Sequence, residues 1–410
     1  MSMLRKMAHP ALSAAYARGC SVLARLQLRA PDAPRHFGRV RIVAPLQRGN
    51  GIAAGAVLQH RALSALGIDV ALVDATPALR NPLRRVSHDA GDVYIFHCGG
   101  PQTPNLLNAV MPHAARAWRI AYWAWELPDP PRDWHGFDAL VSEVWTPSNF
   151  ARSSLSMLVR KPVRVVPHRV EVQPRRHRDW NTPFTVLTLA DSRSSLARKN
   201  PAGALEAFIA AFGGSASARL IVKLNGPAVE EALVQRAGAF PNVTLLHDHL
   251  DQAALAALYR SADALLSLHR AEGFGLPMLE AMAYGLPVVA TGWSGNMEFM
   301  SGANGILVPY RLVPVADPAG IYADSIWAEP DIDAAATALL RLAADRQHYE
   351  ERAAAAHAAV AEAPVRLPFD FRHPRPLRTF PPVTPASGTG AGPLAHQPAD
   401  KQAAAEEELT

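Results

Sequence analysis

Cysteine is scarce in this 410-residue chain, with Cys20 and Cys98 the only two. Two thiols cannot build a disulfide framework, and no CxxC spacing starts a zinc site. A reduced, cytoplasmic compartment fits that usage. Also missing is any run of about 18 consecutive apolar residues, which excludes a spanning helix on length. Charged residues are only 19% and aromatics 7%, against 49% hydrophobic residues, so the chain can bury large cores and is not disordered throughout. The net charge is +5, yet residues 1–38 hold six Arg or Lys against Asp32 alone, so the remainder sums to zero. A basic excess confined to one end leaves no general basic face for a duplex, which argues against a nucleic-acid partner.

The length suits two to three domains. Residues 1–38 form a basic N-terminal extension whose apolar stretch is broken by Arg18, Arg25 and Arg29, unlike a secretory signal. Two readings fit it. One is an interfacial helix on the inner face of the membrane, with Arg heads toward anionic lipid and Leu12, Tyr16, Leu23 and Leu26 toward acyl chains. The other is a poorly ordered extension. At the other end, residues 364–410 hold nine prolines, a Gly/Ser/Thr/Ala stretch and the acidic Glu406, Glu407 and Glu408. That composition predicts a disordered tail, because it cannot bury enough apolar surface to offset its ordering entropy.

Between the ends, strand and helix patterns alternate, which predicts an α/β protein of parallel sheets covered by helices. Strands are predicted at Val40–Leu46, Asp69–Val73, Val93–Phe96, Ile120–Trp123, Ala139–Val141 and Val163–Val166. A second series covers Phe184–Leu189, Leu220–Leu224, Val243–Leu246, Ala264–Leu268, Val288–Ala290 and Ile306–Val308. The chain thus divides into a lobe at 39–170, a polar, Pro-marked linker at 171–183, a second lobe at 184–345 and a helix at 346–363. Two doubly wound lobes that face each other make one cleft, since ligands bind beyond the carboxyl ends of parallel strands.

The stretch Ser267–Glu298 carries the chemistry. A strand ends near Leu268, a loop holds Glu272, Gly273, Phe274 and Gly275, and a helix starts at Leu276-Pro277, where proline lacks only an N–H that would be unpaired. Glycines let backbone approach a ligand, and the helix start favours an anion. Glu280, in the first helical turn, can accept two hydrogen bonds from the vicinal diol of a ribose, and Glu272 can hold sugar hydroxyls. After the first strand of the second lobe come Arg198 and Lys199. A departing nucleoside diphosphate gains negative charge as its glycosidic bond breaks, so fixed cations there bind the transition state better than the ground state. Lys223, at a strand end, is a weaker candidate cation, and Ser294 to Asn296 form either a donor contact or an ordinary helix cap.

The word E-G-F-G-L-P-x-x-E-A-M-A-x-G-x-P-V-V-A-T, with Glu272 and Glu280 separated by seven residues, resembles the signature of retaining GT-B glycosyltransferases of the group-one type, family four. Asp191 to Pro201 is similar to that family's basic element for the donor pyrophosphate. Arg48-Gly49-Asn50-Gly51 resembles its N-terminal glycine loop, placing Gly49 and Gly51 toward the donor diphosphate or the acceptor. Ile120 to Pro128, Glu143 to Ser148 and Trp327 to Asp331 resemble a bacterial polysaccharide and O-chain subgroup. The resemblance implies a GT-B fold of two facing Rossmann-like lobes, a nucleoside-diphosphate sugar as donor, and a glycan or lipid-linked acceptor. It also implies retention through an oxocarbenium-like transition state, no obligatory cofactor or metal, and GDP-mannose as the favoured donor. Glu126 either binds acceptor or donor hydroxyls, with Trp123 or Trp125 flanking a sugar face, or is satisfied inside an aromatic lobe core. His97, which ends another strand near the cleft, is either a catalytic or a structural group. Pro167-His168-Arg169-Val170 departs from the PNGV-like word common in the broader family. Competing readings are a two-lobe phosphorylase, a nucleotide-sugar epimerase, or a non-catalytic sugar-nucleotide-binding protein.

Overall fold

Apolar, β-branched runs become the strands of two parallel sheets in the computed structural model, which describes residues 2–29, 38–48, 50–79, 81, 83–226, 229–247, 250–318, 320–363 and 367. The first sheet holds β1 (Arg39–Ala44), β2 (Asp69–Asp74), β3 (Val93–His97), β4 (Trp118–Tyr122), β5 (Glu143–Thr146) and β6 (Val163–Val165). Its order is β2-β1-β3-β4-β5-β6, and every pairing is parallel. The second holds β7 (Phe184–Asp191), β8 (Ala218–Asn225), β9 (Val243–Leu246), β10 (Ala264–Ser267), β11 (Val288–Thr291) and β12 (Ile306–Val308), in the order β12-β11-β10-β7-β8-β9, again all parallel. Strand order reverses between β1 and β3 in one sheet and between β7 and β10 in the other, and such reversals leave crevices beyond the strand ends. A separate antiparallel hairpin pairs β13 (Tyr310–Pro314) with β14 (Ile326–Pro330).

Helices cover both faces of each sheet, so central strands are buried on both sides, as the fully buried β3 shows. In the first lobe these are α1 (Ser2–Gln27), α2 (Gly51–Ala65), α3 (Thr103–Ala109) and α4 (Asn149–Leu155). In the second they are α5 (Leu196–Lys199), α6 (Pro201–Phe212), α7 (Glu231–Gly238), α8 (Gln252–Ser261), α9 (Leu276–Ala283), α10 (Ile332–Ala344) and α11 (Arg346–Ala361). Side-chain oxygens of Asn50, Ser148, Asp251 and Asp331 accept the exposed N–H groups that start α2, α4, α8 and α10. Both lobes belong to one compact unit.

Three expectations change. Residues 137–140 form a 3₁₀ turn rather than a strand, with Phe137 and Leu140 buried in the lobe core. The strand comes a few residues later because Glu143, which looks too polar for a sheet, is neutralised there by Arg164 at 2.8 Å and accepts the Trp145 Nε1 hydrogen bond at 2.8 Å. Residues 2–29 are no separate extension. Small residues Ala17, Cys20 and Ala24 of α1 are buried against the first lobe, Asn108 Nδ2 donates to Cys20 O at 3.0 Å, and Gln27 Nε2 donates to Asn108 Oδ1 at 3.2 Å. Finally, the linker lies along the second lobe: Gln173 and Arg176 N–H groups donate to Ala283 O and Tyr284 O, and Arg176 pairs with buried Asp263 at 2.5 Å. The side chain of Leu12, residues 30–37 and the expected tail at 364–410, Leu367 apart, lie outside the described residues.

Candidate active site

The loops after β7 and β10 leave the switch point of the second sheet side by side. Ser195 starts α5 by accepting the Arg198 N–H at 3.0 Å, while its hydroxyl donates to Asp317 Oδ1 at 2.7 Å. Asn200 ends α5 in the left-handed region, φ 52°, and its Nδ2 donates to Leu268 O at 2.9 Å, tying this turn to the end of β10. Both pins aim Arg198 and Lys199 at the loop that follows β10. Arg198 Nη1 donates to Ala271 O at 2.6 Å and lies 3.2 Å from Glu272 Oε2, and Lys199 Nζ bonds Glu272 Oε1. Arg198 is 2% exposed, and its buried Nε–H has no partner among the described residues. A buried, unpaired charged donor is costly, so this N–H is the natural place for a ligand oxygen.

Burial alone would raise the Glu272 carboxyl, but Lys199 and Arg198, and then His269, outweigh it and hold it at about 2. Glu272 is therefore a carboxylate at neutral pH. It can accept hydroxyl hydrogen bonds and stabilise positive charge, and it cannot serve as a proton donor.

The Glu272 loop is fixed by the turn after β11. Glu272 N–H donates to Ser294 Oγ at 2.8 Å, and Gly295 N–H donates back to Glu272 O at 2.8 Å. A Cβ on Gly295 would sit 2.3 Å from the Gly273 carbonyl carbon, so only glycine permits this approach. Gly275 has φ 100°, the left-handed turn from loop into α9. Asn296 is fully buried, its Nδ2 donating to Thr291 O at 3.0 Å and its Oδ1 facing His269 Nε2 at 3.1 Å. Ser294 and Asn296 thus spend their polar atoms on holding the Glu272 loop. The Ser294 side chain caps no helix.

The first lobe reaches the same loops. Glu126, just after β4, lies 3.8 Å from Arg198 Nη2. Ser148 Oγ donates to Gly273 O at 2.7 Å, and Asn149 Nδ2 donates to Glu298 Oε2 at 2.8 Å. Phe274 packs edge-on against His168 at 5.2 Å. Tyr322, from the loop between β13 and β14, is 6% exposed and lies 5.6 Å below the Arg198 guanidinium; burial pushes its phenol up, and the negative charge of Glu126 adds to the shift. Ser325 Oγ of that loop donates to Asp129 Oδ2 at 2.6 Å. Tyr322 was not among the sequence candidates. The only signal was a lone tyrosine in a Gly/Asp/Ser-rich loop. Replacing Ser148 by alanine removes both the lobe contact and the α4 cap, and is expected to cost about 1–2 kcal/mol in urea melts.

The remaining candidates fall in different places. Glu280 is the fifth residue of α9, past the first turn, and accepts from Tyr259 Oη at 2.8 Å; burial raises its carboxyl against that bond. Leu276 is the first residue of α9, and the Met278 N–H turns back to Gly275 O, which reduces the helix start's free donors. Lys223 Nζ is held by Leu224 O at 2.8 Å and Asn225 Oδ1 at 2.6 Å at the end of β8. His97 is buried, bonded to Gln59 Oε1 at 2.6 Å and stacked on Tyr122 at 4.3 Å, and burial holds its ring well below its usual range. That neutral, enclosed histidine joins the aromatic packing of Tyr122 and His168 rather than the Glu272 cluster. Trp123 is fully buried with its Nε1 donating to Thr103 Oγ1 at 3.0 Å, so it is lobe core and flanks no sugar. Trp125 is half-buried and packs 5.5 Å from Tyr322. Gly51 opens α2 with free space around it; Gly49 and the Arg48 side chain lie outside the described residues. Among the described residues no group of three His, Cys, Asp or Glu is placed to hold a metal. A wide cavity of about 650 Å³ at the other end of β7, lined by Arg178, Trp180, Phe184, Phe212 and Leu340, includes none of these groups.

Two facing doubly wound lobes with this cluster at their junction define the GT-B class. Residues 192–345, which carry Arg198, Lys199, Glu272 and Tyr322, match the family model described as Glycosyl transferases group 1. No curated protein matches the chain as a sequence. Among solved structures, it is similar to HepE of Anabaena in complex with UDP and glucose, at TM-score 0.55 and 14% identity over 79% of this chain and 94% of that one. It is similar to sucrose-phosphate synthase from Thermosynechococcus elongatus at TM-score 0.56 and 14% identity, over the same 79% and 94%. A glycine-to-arginine mutant of S. aureus TarM, in complex with fondaparinux, alpha-GlcNAc-glycerol and UDP, is similar at TM-score 0.51 and 14% identity over 66% of this chain and 52% of that one; this chain spans about half the length of TarM. Likeness at such identities is one of fold. No helix among the described residues is long and apolar enough to cross a membrane.

Proposed function

We propose that this chain transfers a hexose from a nucleoside-diphosphate sugar to a hydroxyl of a glycan or lipid-linked acceptor, with retention at the anomeric carbon, in polysaccharide or glycoconjugate assembly on the cytoplasmic side. The observation that carries this reading is the buried cluster of Arg198, Lys199 and Glu272 at the switch point, with one guanidinium N–H left for a ligand. The donor diphosphate takes the cations. As the glycosidic bond breaks, negative charge grows on the leaving phosphate, and Lys199 and the unpaired Arg198 Nε–H stabilise it in a site largely free of water. Glu272, released from part of its pairing, accepts hydroxyls of the sugar and offsets the positive charge at the anomeric carbon. Glu280 accepts the ribose diol, and Glu126 with Trp125 receives the acceptor from the first lobe.

Two donor classes compete. The subgroup resemblance favours GDP-mannose, and the UDP complexes of HepE and TarM favour a UDP-sugar. Incubation with each donor and an acceptor extract, followed by mass spectrometry, is expected to show a hexose added to the acceptor and nucleoside diphosphate released. Phosphate-dependent cleavage of a glycan, or an epimerised nucleotide sugar, would replace this reading.

A further inference from the structure

The outer face of α1 is not complete on its own, because a second segment of the first lobe runs beside it. Asn105 Nδ2 donates both to Tyr16 Oη at 3.1 Å and to Leu79 O at 3.3 Å, and Arg85 Nη2 donates to Gln27 Oε1 at 2.8 Å. Those two pins place Leu79 near Tyr16 and Arg85 beside Gln27 of α1. Three large apolar side chains stand out from this pair: Val22 at 59%, Leu26 at 72% and Leu83 at 68% exposure. Such exposure is costly in water unless something covers it. The same two segments carry five exposed arginines, Arg18, Arg25, Arg29, Arg84 and Arg85. Arg25, Arg29 and Arg85 bond neutral oxygens, and neither residues 2–29 nor residues 79–88 contain an acid.

We propose that this two-part face, α1 with Leu83 to Arg85, docks on an anionic lipid bilayer. Val22, Leu26 and Leu83 enter the acyl boundary while the arginines meet phosphate headgroups. Charge complementarity selects this occupant. A second copy on a two-fold axis would set five arginines against five, and a nucleic acid would leave the apolar side chains in water. The face differs from the one the helix alone suggests, since Ala17, Cys20 and Ala24 are turned into the lobe and Leu83 to Arg85 come from elsewhere in the chain. The proposal is independent of the transfer reaction.

Sedimentation of the full chain with phosphatidylglycerol/phosphatidylcholine vesicles tests it, with phosphatidylcholine alone as control. The chain is expected to pellet with the anionic vesicles, weakly with neutral ones, and less as salt rises. Leu26→Asp paired with Leu83→Asp should abolish pelleting, and Arg18→Ala paired with Arg84→Ala should weaken binding about 25-fold, at about fivefold per arginine. All four side chains are exposed, so thermal melts should match the parent chain. Absence of binding to anionic vesicles at low salt, equal binding to neutral ones, or variants that bind like the parent would overturn the proposal. So would a dimer in vesicle-free solution that Leu26→Asp converts to monomer.

Discussion

Lys199→Met is expected to lower kcat/KM for sugar transfer by about 10²–10³-fold, the scale seen when one preorganised donor is removed from a developing anion. The fall should appear in kcat as well as KM, because the ammonium binds the leaving diphosphate more strongly as its charge grows. This variant separates chemistry from folding better than Arg198→Met does. Lys199 is the more exposed cation, and Arg198 remains to neutralise Glu272. Removing Arg198, by contrast, would bury Glu272 beside an incomplete set of cations at a cost of about 3–5 kcal/mol. Steady-state kinetics of Lys199→Met beside its melting curve distinguish a lost catalytic contact from a loosened fold.

Glu272→Gln is expected to do two things at once. Transfer should fall by about 10²-fold or more, because the neutral amide no longer offsets charge at the anomeric carbon. Stability at neutral pH should fall by about 3 kcal/mol, since buried Arg198 loses its counter-charge. The acid response gives an independent readout. The folded state holds the Glu272 carboxyl at about 2, below its unfolded value. The pair's contribution is therefore full above about pH 4.3 and is lost as pH falls toward 2, about 3 kcal/mol in all. Urea melts from neutral pH down to pH 2 should show that loss in the parent chain and a smaller one in Glu272→Gln.

The sequence made the second lobe legible because its chemistry is compressed into short words. Glu272, the glycines around it and the Arg198-Lys199 pair lie at fixed offsets from strands with strong apolar signals, and the structure brings Arg198, Lys199 and Glu272 into contact. Less visible was the division of labour. Ser294 and Asn296 have the right chemistry for a donor sugar, but only the folded chain shows that Glu272 N–H and His269 engage them. In the first lobe, contact partners distant in sequence override local patterns. Glu143 enters a strand because Arg164 lies beside it, and α1 packs inward through alanines that carry little hydropathic signal. Trp123 shows the same limit, since an aromatic near a strand end reads alike whether it faces a cleft or fills a core. Tyr322 was invisible, because the hairpin loop that brings it to Glu126 and Arg198 has no local sequence signal for that approach.

The pocket itself is tested most directly by titrating GDP and UDP into the parent chain and into Lys199→Met while following Tm. A ligand bound only by the folded state stabilises it by about 2.7 kcal/mol at a hundred times its dissociation constant. One of the two nucleotides should raise Tm steadily with concentration in the parent, and that rise should largely vanish in Lys199→Met. No shift with either nucleotide, or an equal shift in the variant, would contradict a diphosphate held by Arg198, Lys199 and the Glu272 loop.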